Sequence, residues 1–290
     1  MARRGRGAQR TALSPSCWDL RAVDNAAKID HESSAPMHYF AANAIALGPQ
    51  QLLLAAIVWL AFTTEAATGF GMTIVAVTLG VHLYPIHVLL PLLVALNLLL
   101  SSYIVWRHFE HVSGRLLLTQ ILPFMGIGLS VGLVVFQLAS NEVLKTMFGV
   151  FVVAVAAREL RSLSRGGAER ARPLTPVTRA SGLLAAGMAH GLFVCGGPLL
   201  VHVLDRSGLD KHSFRSTLST VWLTLNLALT VVYVCTGRID HTALPVLALL
   251  APAVLLGIIA GEWAHHRLDE RRFRLAVLTL LIIAGLTIIA

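Results

Sequence analysis

Two stretches of this sequence place polar or ionisable side chains beside helix-breaking residues inside long apolar runs. The first reads Thr63-Thr64-Glu65-Ala66-Ala67-Thr68-Gly69-Phe70-Gly71. The second reads Gly187-Met188-Ala189-His190-Gly191-Leu192-Phe193-Val194-Cys195-Gly196-Gly197-Pro198. Glycine lowers helix propensity, and Pro198 both lacks an N–H and disfavours helix at Gly197. Unwound backbone survives at membrane depth only where protein or a water-filled cavity covers it. A half-helix starting after each break would turn N–H groups and a positive dipole end inward, which suits an anion. The bland alternative is that the glycines let helices pack closely, and for one such stretch it is the better reading. For a matched pair the balance shifts to a binding site built from Thr68, Gly69, Phe70 and Gly71 with Gly196, Gly197 and Pro198.

Other residues could serve that site. Glu65 lies well inside an apolar segment, where an ionisable group is costly and is a functional candidate by default. It would carry a coupling proton, or sit protonated and bonded to Thr64 or Thr68. His190 occupies the similar place in the second stretch. A lone histidine among apolar residues is more often a satisfied core residue, so a proton relay is its minority reading. Asn97 and Asn226 lie mid-segment and would bind substrate oxygen or join helices by hydrogen bonds. Arg215 would attract an anion or reach to the headgroups. Cys195 and His190 are the residues an integral membrane enzyme would use. At five residues apart on one helix they face about 140° from each other, poor geometry for a dyad. The cluster His108-Phe109-Glu110-His111 lacks the HExxH spacing and reads as an interfacial loop, and no phosphate-cradling or nucleophile-elbow motif is present. No metal, cofactor or catalytic residue is expected.

The elements that position these residues follow from composition. Of 290 residues, 56% are apolar and 13% charged, with mean hydropathy +0.73. A soluble domain carries about 25% charged residues, so the composition points to an all-α, polytopic membrane protein in contact with lipid. The net charge of +8 is explained by basic loops rather than by nucleic acid. The three cysteines form no CxxC pair. Residues 1–48 read as a disordered basic arm without a signal-peptide core, and Met37 is an alternative start.

Eight apolar segments follow: 51–79, 86–106, 116–138, 143–160, 180–204, 214–236, 244–263 and 275–290. Asn97 and Asn226, Pro123 and Pro252, Gly128 and Gly257, and Gly132 and Gly261 each stand 129 residues apart, and Gly71 matches Gly197 at 126. This predicts a duplicated four-helix unit with broken first helices, residues 49–160 and 180–290, joined by a basic cytoplasmic linker, 161–179. If all eight segments cross, both copies run in the same direction and both termini are cytoplasmic. The arginine-rich loop before the eighth segment conflicts with that orientation. If each first segment re-enters instead of crossing, the copies are inverted.

Thr68-Gly69-Phe70-Gly71, Gly196-Gly197-Pro198-Leu199-Leu200-Val201, and Phe214-Arg215-Ser216-Thr217-Leu218 with Asn226, Tyr233 and Gly237 downstream together resemble the sulfite exporter TauE/SafE family, also called the toluene-sulfonate uptake permeases. The resemblance covers residues 50–290. It implies a plasma-membrane permease for small sulfur-containing anions such as sulfite or organosulfonates, working by secondary transport. The expected partners are therefore a small anion and a coupling ion, proton or sodium. An anion channel and a membrane enzyme are the alternatives.

Overall fold

The computed structural model describes residues 48–164 and 174–267, together with residues 279, 282, 285, 286 and 288. The N-terminal arm up to residue 47, linker residues 165–173 and most of the eighth segment lie outside the described residues. Among the described residues every regular element is helical. In chain order these are α1 (Pro49–Thr68), α2 (Met72–Gly80), α3 (Ile86–His108), α4 (Gly114–Leu138), α5 (Asn141–Ser164), α6 (Pro176–Phe193), α7 (Gly197–Leu204), α8 (Lys211–Cys235) and α9 (Ala243–Arg267). Helices α1, α3, α4, α8 and α9 are long and apolar enough to cross a membrane. Helix α5 carries Glu142, Lys145, Arg158, Glu159 and Arg161 and is not among these five.

Local chemistry explains where the helices start and stop. Pro49 and Pro176 open α1 and α6 at the position where a missing N–H costs nothing. The Thr175 side chain caps α6 by accepting from the Thr178 N–H. Asp210 caps α8, accepting from the N–H groups of His212 and Ser213 at 2.9 Å each. The bonds from Ser213 above all hold the Asp210 carboxyl below the usual carboxylate range. Helix α1 ends where Gly69 turns left-handed, φ 85°, and Gly71 at φ 104° opens α2. Both angles are open to glycine and strained for other residues. Helix α6 ends at Val194, φ 54°, a β-branched residue in the conformation that Gly69 supplies in the first stretch. Counted from these ends, the two breaks stand 125 residues apart, Gly71 matching Gly196, rather than the 126 expected from Gly71 and Gly197.

Three helix pairs hold the two halves of the chain together: α4 with α6, α9 with α1, and α3 with α8. The first two run parallel and pack through glycine. A Cβ added to Gly128 or Gly132 would lie 2.2 Å from the carbonyl oxygen of Leu184 or Met188, and one added to Gly187 or Gly191 would meet the carbonyls of Met125 or Leu129 at the same distance. On α9, the corresponding additions at Gly257 and Gly261 would lie 2.8 Å from the Trp59 carbonyl and 2.6 Å from that of Thr63. Glycine lies on both sides of the α4–α6 contact, whereas α1 offers Phe62 and Ala66 to α9, so the first crossing is the closer. For Gly187 and Gly191 the packing reading is therefore sufficient. Gly128→Val is expected to lower thermal stability in detergent more than Gly257→Val does. Overpacking of about 1–3 kcal/mol is typical, and unchanged melting of Gly128→Val would contradict this account of the crossing.

The third pair decides direction. Arg238 meets His87 at 3.2 Å, Asn226 meets Asn97 at 2.8 Å, and the rings of His212 and His111 lie 5.7 Å apart. Helices α3 and α8 are thus antiparallel, crossing at the two asparagines. In the second half the chain also turns back on itself. A Cβ on Gly196 would lie 2.5 Å from the Ala186 carbonyl oxygen, and one on Gly182 would lie 2.9 Å from the Val203 side chain. Helix α7 therefore returns along α6. Of the two readings the sequence left open, crossing or re-entry of the first segments, the α6–α7 turn follows the second. Gly182 and Ala186 give the returning helix a shallow track, which a one-dimensional count of spans does not register.

Candidate functional site

The two breaks meet. A Cβ on Gly197, the first residue of α7, would lie 2.9 Å from the Phe70 Cβ, so the tips of the α1–α2 and α6–α7 turns touch. Between them lies a hollow of about 20 Å³, lined on one side by Glu65, Phe70, Gly71 and Met72 and on the other by His190, Cys195, Gly197 and Pro198. Asn97, Trp222 and Asn226 close it from α3 and α8. That space holds roughly one water.

One chain of hydrogen bonds spans the hollow. The Asn226 Nδ2 donates to Asn97 Oδ1 at 2.8 Å, and Asn97 Nδ2 donates to Glu65 Oε1 at 2.7 Å. The other carboxylate oxygen, Oε2, accepts from the Met72 N–H at 3.1 Å. Glu65 thus sits at the N-terminal end of α2, where a helix leaves N–H groups without internal partners. At the far end, His190 Nε2 lies 3.0 Å from Asn226 Oδ1. Ser101 Oγ adds a donor to Asn97 Oδ1 at 2.8 Å. All five side chains are buried. Two asparagines that stand 129 residues apart in sequence therefore bond to each other at the crossing of α3 and α8. Each also holds the ionisable residue of one turn.

Of the residues singled out in the sequence, Glu65, Phe70, Gly71, Asn97, His190, Gly197, Pro198 and Asn226 line the hollow, and Thr68, Gly69, Gly196 and Arg215 do not. The Thr68 hydroxyl lies within hydrogen-bond distance of the Thr64 and Phe70 carbonyls, at 2.8 and 2.7 Å. It braces the turn from within. Gly69 presents its carbonyl to Trp222 Nε1 at 3.1 Å. Gly196 lies against Ala186 and His190. Arg215 forms a partly buried ion pair with Glu262 of α9 and donates to the Ala66 carbonyl at 3.1 Å. His108 to His111 end α3 and form the turn beyond it, where Phe109, Glu110 and His111 are exposed.

Three residues of this region escaped the sequence reading. Trp222 ties the first tip through Gly69 and stacks on the His190 ring, with centroids 5.1 Å apart at 18°. A tryptophan in mid-segment was the available signal, since tryptophans in spans concentrate at the membrane interfaces. Glu262, near the end of an apolar segment, carried the same kind of signal as Glu65. Ser101, one turn beyond Asn97, carried none. Cys195 is buried, but His190 spends Nε2 on Asn226 and its Nδ1 has no partner. The two residues therefore form no dyad here.

The model of the family "Sulfite exporter TauE/SafE" matches residues 53–288. The chain is 26% identical over 170 residues to "Probable inner membrane transporter protein TsaS" of Comamonas testosteroni, a match covering 58% of this chain and 69% of that protein. No solved structure matches. A family match across nearly the whole of the described helices, on a helical frame able to cross a membrane, means that the chain belongs to the sulfite exporter TauE/SafE family of membrane transport proteins.

Proposed function

We propose that this protein is a secondary transporter for a small anion: sulfite, a sulfonate or another organosulfur anion. The observation that carries the proposal is the meeting of two broken turns, one from each half, at a buried hollow with polar side chains and helix N-termini around it. The N-terminal ends of α2 and α7 would hold the anion's oxygens, with Asn97 and Asn226 beside them and Glu65 and His190 as the ionisable groups for coupling to a proton or sodium gradient. The hollow is too small for a three-oxygen anion, so binding requires the two halves to rock apart, first toward one side and then toward the other. A continuously open channel is not favoured by so narrow a centre. Purified protein in proteoliposomes is expected to take up sulfite or a sulfonate saturably under a proton or sodium gradient. Absence of uptake for every such anion, with either gradient, would refute the proposal. Cys195→Ala is expected to keep uptake within about twofold of the parent protein, and its complete loss would revive the enzyme reading.

The same geometry supports two copies of one unit, residues 49–160 and 180–290, related by an axis across the helices, since the Asn-bearing helices run antiparallel. Residues 86, 87, 136, 141 and 238 cluster at one end of the bundle, and residues 111, 113, 120, 179, 212 and 217 at the other. The second end also receives the end of α5 and the start of α6. In sequence it collects Arg107, Arg115, Arg161, Arg179, Arg206 and Lys211. We place it in the cytoplasm of an inner membrane, so that the chain enters α1 from the opposite side. On this placement the start of α1 faces outward, whereas a count of eight crossings puts both termini in the cytoplasm. A single cysteine at Ser113 is expected to be labelled only from the cytoplasm and one at Ser140 only from outside, in a background lacking native cysteines. The reverse pattern inverts the assignment.

A further inference from the structure

We propose that His190 is where the transported oxyanion and one proton are held together, the proton lying between a ligand oxygen and Nδ1. Asn226, Asn97 and Glu65 are then positioning residues that act through it. The inference rests on the anion-transporter reading above and assigns the coupling role within it. Its basis is the direction of the hydrogen bonds. Asn97 Oδ1 accepts from Ser101 Oγ and from Asn226 Nδ2, and Asn97 Nδ2 donates to Glu65. Asn226 therefore turns its oxygen to His190, an atom that only accepts, and His190 Nε2 must carry a hydrogen. In the neutral ring the lone pair is then on Nδ1. That atom is buried, lacks a partner, and belongs to a residue lining the hollow. Stacking on Trp222 holds the ring in this attitude, and an indole face favours a cationic ring above it.

A buried acceptor without a donor is costly. A bare oxyanion cannot supply one: it would meet the Nδ1 lone pair, with the Glu65 carboxylate beyond. One added proton changes the contact into an N–H···O bond to an ion, the stronger kind. The proton comes from the ligand's own O–H or from solution and stays between Nδ1 and the ligand oxygen. Nε2 keeps its hydrogen and nothing else leaves. A monovalent anion then enters without adding net charge to a buried site. Among the described residues the titratable and charged groups around the ring are few. Glu65 comes from the first tip and Cys195 from the second. Arg215 of α8 and Glu262 of α9 are paired with each other. Helix α3 brings Asn97, with His108 at its far end beside that ion pair. Helix α4 meets the glycine face of α6 through Met125, Leu129 and Leu133.

Methanesulfonate is the suitable probe, because it keeps one negative charge and no O–H across neutral and alkaline pH. Bound by the purified full-length protein, it is expected to bring in one proton, read by titration in buffers of different ionisation enthalpy. Above the ionisation of free His190, its Kd is expected to weaken about tenfold per pH unit. The sign is fixed: binding takes up a proton, so affinity falls as pH rises. His190→Gln should bind without a pH slope. Glu65→Gln, which keeps the oxygen that Asn97 needs, should retain the slope. Asn226→Leu should move the pH at which the slope begins, and an unmoved onset overturns the positioning role. Wild-type binding with no proton uptake, or a slope lost in Glu65→Gln, overturns the assignment to His190. The wild-type proton count decides even if a variant fails to fold. If neither methanesulfonate nor sulfite binds the wild type, the anion-transporter reading falls as well; binding without a slope sinks this inference alone.

Discussion

Proteoliposomes carrying Gly197→Leu are expected to take up at least about a hundredfold less sulfite or sulfonate than the parent protein, although the variant inserts and purifies normally. Gly197 opens α7 at the point where the two tips touch, and a Cβ there already falls 2.9 Å from the Phe70 Cβ. Pro198 fixes the next φ, so the backbone has little freedom to retreat. A leucine must push the tips apart, and a displacement of about 1 Å between groups that converge on one ligand is enough for a loss of this order. The damage is confined to the contact between the turns. The glycine crossing of α4 and α6 and the antiparallel pair α3–α8 stay intact, so melting in detergent should change by little. Uptake within about twofold of the parent would remove the tip contact from the mechanism. Loss of uptake with loss of folding would instead mark Gly197 as a packing residue.

Asn226→Leu is expected to be nearly as damaging for a different reason. The side chain accepts from His190 and donates to Asn97, so its loss strands the His190 N–H and leaves Asn97 Oδ1 with Ser101 Oγ as its donor. A stranded buried donor costs about 1–3 kcal/mol, which should appear as lower thermal stability. Uptake should fall by more than about tenfold, because the chain no longer orients either ionisable residue. Asn97→Leu cuts the same chain from the other side. If the chain acts as a unit, the double variant should lose hardly more uptake than either single variant, as coupled residues do. Losses that multiply would show two independent asparagines and dissolve the chain as a functional unit.

How much of this was legible in the sequence can be judged residue by residue. The left-handed angles at Gly69 and Gly71 are a local requirement, so glycine next to an apolar run signals the break directly. Asn97 and Asn226 were legible through their offset, but their bond to each other was not. That depends on α3 and α8 crossing antiparallel at one depth. Thr68 sits beside the break in sequence, yet its hydroxyl serves its own turn. Arg215 looked free to attract an anion until the fold brought Glu262 to it from 47 residues away.

The sequence by itself determined the helical, lipid-embedded character of the chain, the places where two helices stop, and the polar residues that its interior must accommodate. These follow from transfer energies and backbone sterics that act within a few residues. Only the tertiary structure decided that the chain turns back at Gly196, that α3 and α8 run antiparallel, and that Glu65 and His190 are joined through two amides. Those outcomes depend on which surfaces meet across distant parts of the chain. A bilayer gives apolar helices little hydrophobic reason to prefer one neighbour over another, so the choice falls to close backbone contacts and buried hydrogen bonds, such as Gly128 against Leu184 and Asn226 against Asn97.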